Sequence, residues 1–491
     1  MRPDWWREHG RYWLLGGALF LLLWQRSWSD EWRGDFWIYV ATVEELAASP
    51  THPRHALFGN DYAFPFLSPY TWTLGLASRL FRLDAFAILV LQGLVNFALL
   101  LGALHAFVAR WVERRSAAFY ALLFVLFLWG PDPWIFSSFF HLRSLAHVLP
   151  YPSTFAFALA LGTLAVFPRL SASRRPTWVV LMVPVMAGLW ILHPVNGLFL
   201  WLGLLAWSAQ TPRPLRHWAA LAFALGASLA LALAWPLFSV ADLWFRQVHL
   251  VHQGNATIYD DRLPCIVPAL LGAPWLVLRL KRKPRDPLAL LTLALAALVV
   301  YGGLSGQWSF GRLLSHAVVL LQVALADASA ALEDRLSKLR AVARRRLLAP
   351  ALATLLIAAS WSASVKPTLD EAWRGDPEWL SFLEGRVGRY DVVLTDLETC
   401  WYVPSFSGKV VAYPMQLPFV PDHARRLRDV ARFFERGVPR EERLGIIRRY
   451  GVTHLLLAKF RFADWEARLQ ELRPLGEVVY SSPDYELLQL T

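Results

Sequence analysis

Apolar stretches of roughly 14 to 25 residues recur along the first three quarters of the chain, separated by short polar or basic connections. At 1.5 Å of rise per residue such stretches suit helices that cross a bilayer. The pattern predicts spans at about 12–27, 85–109, 116–130, 153–168, 177–192, 195–208, 217–240, 263–279, 287–303, 312–332 and 347–364. From Pro367 the period changes. Short β-type runs at Val392–Thr395, Val410–Tyr413, His454–Ala458, Glu477–Ser481 and Tyr485–Leu490 alternate with helical periodicity at Pro421–Phe434, Arg440–Tyr450 and Ala463–Leu472. The fold class read from this is mainly α: a polytopic membrane protein of about eleven transmembrane helices, with a small C-terminal α/β domain. The expected domains are 1–365, membrane-embedded with an outer loop at 29–83, and 366–491, extracytoplasmic.

Composition supports the division. The first 365 residues carry 31 Lys+Arg and 18 Asp+Glu, the last 126 carry 18 and 19, and the whole is 56% hydrophobic with 25 Trp. Only the second part has the charge density of a soluble domain. The net charge of +12 does not indicate a nucleic-acid partner. The cations sit between apolar runs, where they set membrane orientation. Six basic clusters, Arg2/Arg7/Arg11, Arg110/Arg114/Arg115, Arg169/Arg174/Arg175, Arg213/Arg216, Lys281–Arg285 and Arg335–Arg346, fall on alternate connections and can all be cytoplasmic. A cytoplasmic N-terminus and eleven spans then leave the C-terminal domain outside. The apolar piece 64–83 would break that parity by crossing, so it is read as re-entrant or interfacial. No small-x-small site follows Tyr12–Trp28, which reads as a retained helix and not a signal peptide. Cys265 and Cys400 form no metal or redox motif.

Eleven of the eighteen acids in the first part fall on the outer side of this topology, a bias that orientation does not explain. The candidate chemistry is therefore on the outer loops. The first contains Asp30-Glu31, Gly34-Asp35-Phe36-Trp37, a helical stretch Ile38–Ala48, Asp61 and Ser68-Pro69-Tyr70, with aromatics (Phe36, Trp37, Tyr39, Phe58, Tyr62, Phe64, Phe66, Trp72) that suit an interfacial belt. Asp35 has two readings on local sequence, a helix N-cap or a functional acid. The second loop carries His141, Arg143 and His147 at a membrane edge, where Arg can engage a lipid phosphate or merely snorkel. His193-Pro194 and Asn196 lie in an uncharged hairpin. His249 and His252 stand three apart, with no third metal ligand at a helical interval. Arg312, after Gly311, opens a span where a guanidinium can hold a phosphate bidentately. The turn Asp396, Glu398, Thr399 follows a strand, a place where ligands bind in open α/β sheets, and it has no Gly-rich phosphate loop.

Gly34-Asp35-Phe36-Trp37, Phe66-Leu67-Ser68-Pro69-Tyr70, His193-Pro194, Gly311-Arg312, Ser405-Phe406-Ser407-Gly408-Lys409 and Tyr450-Gly451-Val452-Thr453-His454 resemble local strings of the GT-C superfamily, integral membrane glycosyltransferases that use polyprenyl-phosphate-linked sugars. The resemblance covers nearly the whole chain as architecture, and its motifs are short. It implies an inverting hexosyl- or pentosyltransferase in the bacterial cytoplasmic membrane, moving a monosaccharide to a glycan, lipid or protein acceptor on the outer face. It favours Asp35 as the general base and Asp61 as a second acid. Arg312 and then Arg143 become donor-phosphate ligands, and His141, His193, His249 and Tyr70 substrate contacts. The first loop lacks a clean DxD or ExD, so a divalent cation is neither required nor excluded. Two other classes stay open: a polysaccharide ligase or polymerase with a diphosphate-linked donor, and a transporter or flippase of a lipid-linked substrate.

Overall fold

A computed structural model describes residues 3–490, except 30, 31, 33, 131–134, 173–176, 261, 262, 339–341 and 373–377. Each predicted span coincides with helix over most of its length, from Pro3–Ser27 and Ala85–Trp111 through Leu313–Lys338 and Val342–Ala359. Among the described residues six helical stretches are long and apolar enough to cross a membrane: Ala85–Trp111, Pro152–Leu170, Leu215–Leu233, Pro264–Arg282, Pro287–Ser305 and Trp308–Leu336. Ala117–Phe127, Trp178–Leu192, Pro194–Ala209 and Ala349–Ala359 are apolar but shorter. The chain is a multi-pass membrane protein. Within 64–83 the only helix is Pro69–Phe81, 13 residues or about 20 Å, too short to cross the hydrocarbon core. It opens with a capping box between Ser68 and Thr71.

The chain divides into two compact units. One comprises 1–29, 90–235 and 251–374; the other comprises 30–89, 236–250 and 375–491. Residues 30–89 thus fall in the same unit as residues 375–491.

The second unit is built on a five-stranded sheet: β1 (Val392–Leu394), β2 (Lys409–Val410), β3 (Val452–Ala458), β4 (Gly476–Ser481) and β5 (Tyr485–Leu490), in spatial order β2-β1-β3-β5-β4. β1 is parallel to β2 and β3, while β5 is antiparallel to β3 and β4. β3 ends in the unbroken apolar run Leu455–Ala458, as suits a strand with both faces covered. Leu455 and Leu457 point to a core under the helices His423–Phe434, Arg440–Tyr450 and Trp465–Leu472. Leu456 and Ala458 point to a core shared with Ile38, Ala41, Leu46, Leu57 and Phe64 of the first outer loop. That loop is a third layer of the domain.

The interfacial belt expected of the loop's aromatics is corrected for five of them, while Tyr39, Tyr62 and Phe66 are half-buried and Trp72 is exposed. Phe36, Trp37, Phe58, Phe64 and Tyr70 are buried. Trp37 packs on Tyr402 and Phe406, and its carbonyl accepts from Ser405 Oγ at 2.8 Å. A cluster of aromatic residues looks the same in sequence whether lipid or a sheet covers it. The helix Asp35–Ala48 is the element that makes the second contact possible, because its apolar residues face more than one side.

One buried ion cluster ties this layer down. Glu45, fully buried, accepts from Lys409 Nζ (3.1 Å), Arg389 (3.3 Å), Tyr390 Oη (3.3 Å) and the Arg54 amide (3.1 Å). Lys409 Nζ also donates to the Ala56 carbonyl at 2.7 Å. Burial pushes the Glu45 carboxyl up, but Lys409, the Arg54 amide and Arg389 outweigh it and hold it below the usual range. Its contribution is therefore complete above the unfolded carboxylate range and lost as pH falls through the lower folded value. Lys409→Met leaves Glu45 buried with weaker compensation. We expect a loss of about 3–5 kcal/mol, read as a lower thermal midpoint of the full-length protein in detergent at pH 7. The deficit should shrink as the buffer is acidified and Glu45 is neutralised.

Candidate active site

Ion pairs fix the two ends of the helical unit. Arg11 pairs with Glu333 (2.9 Å), Arg114 and Arg279 with Asp327 (2.5 and 2.6 Å), Arg279 with Asp286 (2.8 Å) and Lys283 with Glu113 (2.6 Å). These gather members of the basic clusters around Arg11, Arg114 and Lys281–Arg285 at one end, beside the acids that precede Arg335. Arg26 lies fifteen residues further along the first helix, about 22 Å away, and Arg312 twenty-one residues before Glu333, about 30 Å away. Arg26 and Arg312 thus mark the opposite end.

At that end Arg312 closes the turn Trp308–Arg312 and leads into Leu313–Lys338. Its Nε donates to Asn255 Oδ1 at 2.8 Å, and its guanidinium stacks over the Phe136 ring, 4.9 Å from the centroid. Asn255, buried on the helix Val248–Asp260, is in turn within 3.4 Å of Ser309 Oγ. The preceding Gly311 is required by packing. A Cβ there would lie 2.7 Å from the Tyr259 ring, whose hydroxyl donates to the Val299 carbonyl. Gly-Arg is thus the arrangement that lets Tyr259 lie against the turn while Arg312 stays partly exposed.

Beneath Arg312 is a buried polar chain. His193, between the helices Trp178–Leu192 and Pro194–Ala209, is within 3.2 Å of Ser138 Oγ and 3.0 Å of Asn196 Nδ2. Asn196 Oδ1 meets His316 Nε2 at 2.7 Å, and His316 Nδ1 faces the Arg312 carbonyl at 3.3 Å. The segment that supplies Phe136 to Arg312 also supplies Ser138 to His193. Sequence reasoning singled out Arg312 and His193 but missed Asn255, His316 and Ser138 as their supports. The polar residues on the span 312–332 were the available signal.

Arg143 lies on the short helix Leu142–Val148, and His141 precedes it. His141 is its N-cap, with Nδ1 accepting from the Ser144 amide at 3.2 Å and its ring edge-on to Trp129. The ring thus has a structural role at the start of that helix. His141→Ala should cost about 1 kcal/mol in thermal stability, the usual worth of a cap, and leave KM for donor within twofold; a tenfold rise in KM would restore His141 as a substrate contact. Arg143 approaches Glu371 at 3.9 Å, while Glu371 also meets His147 (3.1 Å) and Arg26 (3.6 Å). Burial pushes Glu371 up, but His147, Arg26 and Arg143 hold it below the usual range. Burial pushes His147 down.

Asp35, Asp61 and Tyr70 belong to the other unit. Asp35 is not the N-cap: Gly34 is, at φ 60 and ψ −130, a left-handed geometry that favours glycine, and Asp35 is the first residue of the helix Asp35–Ala48. A carboxylate there faces the helix dipole favourably. Asp61 is exposed on the bend after Asn60, whose Oδ1 accepts from the Tyr62 amide. Tyr70 is buried in the first turn of Pro69–Phe81, where its carbonyl accepts from Thr73 Oγ1. The side chain of His249, and Asp30 and Glu31, lie outside the described residues. Among the described residues no three His, Cys, Asp or Glu side chains converge as a metal site. Cys265 and Cys400 are buried and are not joined in a disulfide.

No family model and no curated protein sequence matches the chain. Solved structures do. ArnT from Cupriavidus metallidurans in the apo state superposes with a TM-score of 0.54 over 97% of this chain and 97% of its own, at 15% identity. The Archaeoglobus fulgidus oligosaccharyltransferase tethered with an acceptor peptide gives 0.53 over 98% of this chain and 74% of its own, at 12% identity. The same archaeal enzyme has been solved with an inhibitory peptide and a dolichol-phosphate. Arabinofuranosyltransferase AftD from Mycobacteria gives 0.53 at 14% identity, and this chain spans 40% of its length. At these identities the likeness is one of fold. The chain has the GT-C fold, that of integral membrane glycosyltransferases.

Proposed function

We propose that the chain is an inverting glycosyltransferase that moves a monosaccharide from a polyprenyl-phosphate donor to a glycan, lipid or protein acceptor on the outer face of the bacterial cytoplasmic membrane. The observation that carries this reading is the fold likeness along the full length of both chains in the ArnT comparison. It is supported by the position of Arg312 at the end of the bundle away from the ion-paired basic clusters. With those clusters cytoplasmic, Arg312 faces outwards, where nucleotide sugars are absent and a lipid carrier is needed.

The acceptor hydroxyl oxygen attacks the anomeric carbon, and the bond from that carbon to the phosphate oxygen breaks on the opposite face. Asp35 takes the hydroxyl proton as the new bond forms. The departing lipid phosphate gains negative charge, which the guanidinium of Arg312 meets. Asn255 and Phe136 fix that guanidinium before the charge develops. Arg143 is the second candidate for phosphate contact, Asp61 the second acid, and His193 and Tyr70 act at one remove, through packing and hydrogen bonds. A transport reading would need polar groups within the spans for its substrate, yet most of those singled out there have partners: Gln92 with Asn96, His105 with His9, Gln322 Nε2 with the Leu128 carbonyl and Asp327 with two arginines and Trp275; Gln322 Oε1 is buried without one.

The test uses membranes carrying the protein, supplied with radiolabelled sugars on polyprenyl phosphate, on polyprenyl diphosphate or on nucleotides. Transfer from the monophosphate carrier alone is expected. Transfer from the diphosphate carrier alone would make the ligase or polymerase class the better reading, and transfer from none would remove the enzyme reading.

A further inference from the structure

The sheet of the second unit has a topological switch point, and a cleft stands at it. From the carboxyl end of β1 the chain turns towards β2 at one edge; from the carboxyl end of the adjacent parallel strand β3 it turns the other way, through Trp465–Leu472 to β4 and β5. Connections leaving neighbouring strands in opposite directions open a crevice, the usual ligand position in open α/β sheets. Here it is a cleft of about 550 Å³, lined by Asp396 and Glu398 after β1 and by Arg461 and Phe462 after β3, with Phe434 and Arg468 on its walls. That volume is within the roughly 300–1,000 Å³ of small-molecule sites.

The lining selects the ligand. A phosphate or nucleotide would need the amides of the turn after β1, as in other anion-binding turns. Those of Glu398 and Thr399 are already taken by Asp396 Oδ1, each at 2.9 Å. The turn also has no glycine to bring its backbone closer. Glu398 and Arg461 face each other at 4.0 Å, beyond a direct hydrogen bond. A group that both donates to a carboxylate and accepts from a guanidinium fits between them, and a hydroxyl does both. The floor is apolar: the Phe434 and Phe462 rings stack at 5.7 Å, with the Arg468 guanidinium 4.7 Å from the Phe462 centroid. Mixed acceptors and donors over aromatic carbon suit an uncharged polyhydroxyl ring.

We propose that this crevice binds a neutral sugar residue of a glycan, and that in the transferase it holds the acceptor chain; the second clause rests on the function proposed above, the first does not. Full-length protein in nanodiscs is titrated with fluorescently labelled maltohexaose, mannohexaose, arabinan and galactan oligomers, and with inorganic phosphate as an anionic competitor. At least one neutral oligomer is expected to bind, to be undisturbed by phosphate, and to lose at least tenfold in affinity in both Glu398→Gln and Arg461→Gln. Both side chains are solvent-exposed, so the variants should fold, and an unchanged thermal midpoint verifies it. Asp35→Asn should bind as wild type does. Failure of every neutral oligomer to bind, displacement by phosphate, or unchanged affinity in the two variants overturns the proposal. Binding that responds to the variants in a protein that transfers no sugar would keep the crevice and remove the transferase; transfer with an unaltered acceptor KM in both variants would do the reverse.

Discussion

Asp35→Asn is expected to lower kcat for sugar transfer by about 10²–10⁴-fold, the range that a positioned general base supplies, with donor and acceptor KM little changed. The substitution keeps the shape of the side chain and its place in the first turn of Asp35–Ala48, but an amide cannot take the acceptor proton. What the fold loses is the interaction of one carboxylate with a helix N-terminus, about 0.3–1 kcal/mol, so the thermal midpoint should move by a few degrees at most. The conformation that carries Asp35 is set by its neighbour: Gly34 adopts the left-handed region, and the Trp37 amide returns to the Gly34 carbonyl at 3.3 Å. Asp61→Asn is the comparison. Asp61 is exposed on a bend, so its loss should cost far less if it only orients the acceptor. Full activity in Asp35→Asn, with a collapse in Asp61→Asn, would exchange the two roles.

What could be read in the sequence follows from which signals are local. Span positions and the β/α alternation of the C-terminal part are written in hydrophobic period, and the helix Arg440–Tyr450 coincides with the stretch predicted for it. The sequence showed the polar turn after β1, but that β3 leaves its carboxyl end in the opposite direction is a property of strand order, which no local pattern carries. The same limit hid the third layer. Phe36, Trp37 and Phe64 advertise an apolar environment without saying whether lipid or a sheet provides it, and only the register of β3 and the bond from Ser405 to the Trp37 carbonyl decide. In the bundle, Arg312 was legible because an arginine beside an apolar run is conspicuous. Asn255 was not, because an asparagine in a polar loop is ordinary until its Oδ1 is found 2.8 Å from Arg312 Nε. His141 shows a role that was not legible: beside the substrate contact suggested by a histidine at a membrane edge, it caps the start of a helix.

Arg312→Ala is expected to lower kcat by about 10²–10³-fold, equivalent to 2.7–4 kcal/mol, the cost of removing one preorganised group aimed at charge that develops in the transition state. The split between kcat and KM carries the mechanism. A guanidinium that met donor phosphate equally in ground and transition states would raise KM and leave kcat alone, whereas one that meets the charge released on bond cleavage lowers kcat. Arg312→Lys should recover only part of the activity. The ammonium restores a positive charge, but it loses the Nε donor to Asn255, the stacking over Phe136 and the planar fork that matches phosphate. Asn255→Ala tests the support separately. It leaves the charge in place and removes the acceptor that aims it, a loss of about 1 kcal/mol or roughly fivefold, and in an Arg312→Ala background the same change should add nothing. Additive losses in that double variant would mean that Asn255 acts on the substrate itself, and an Arg312→Ala protein with wild-type kcat and KM would move the phosphate site to Arg143.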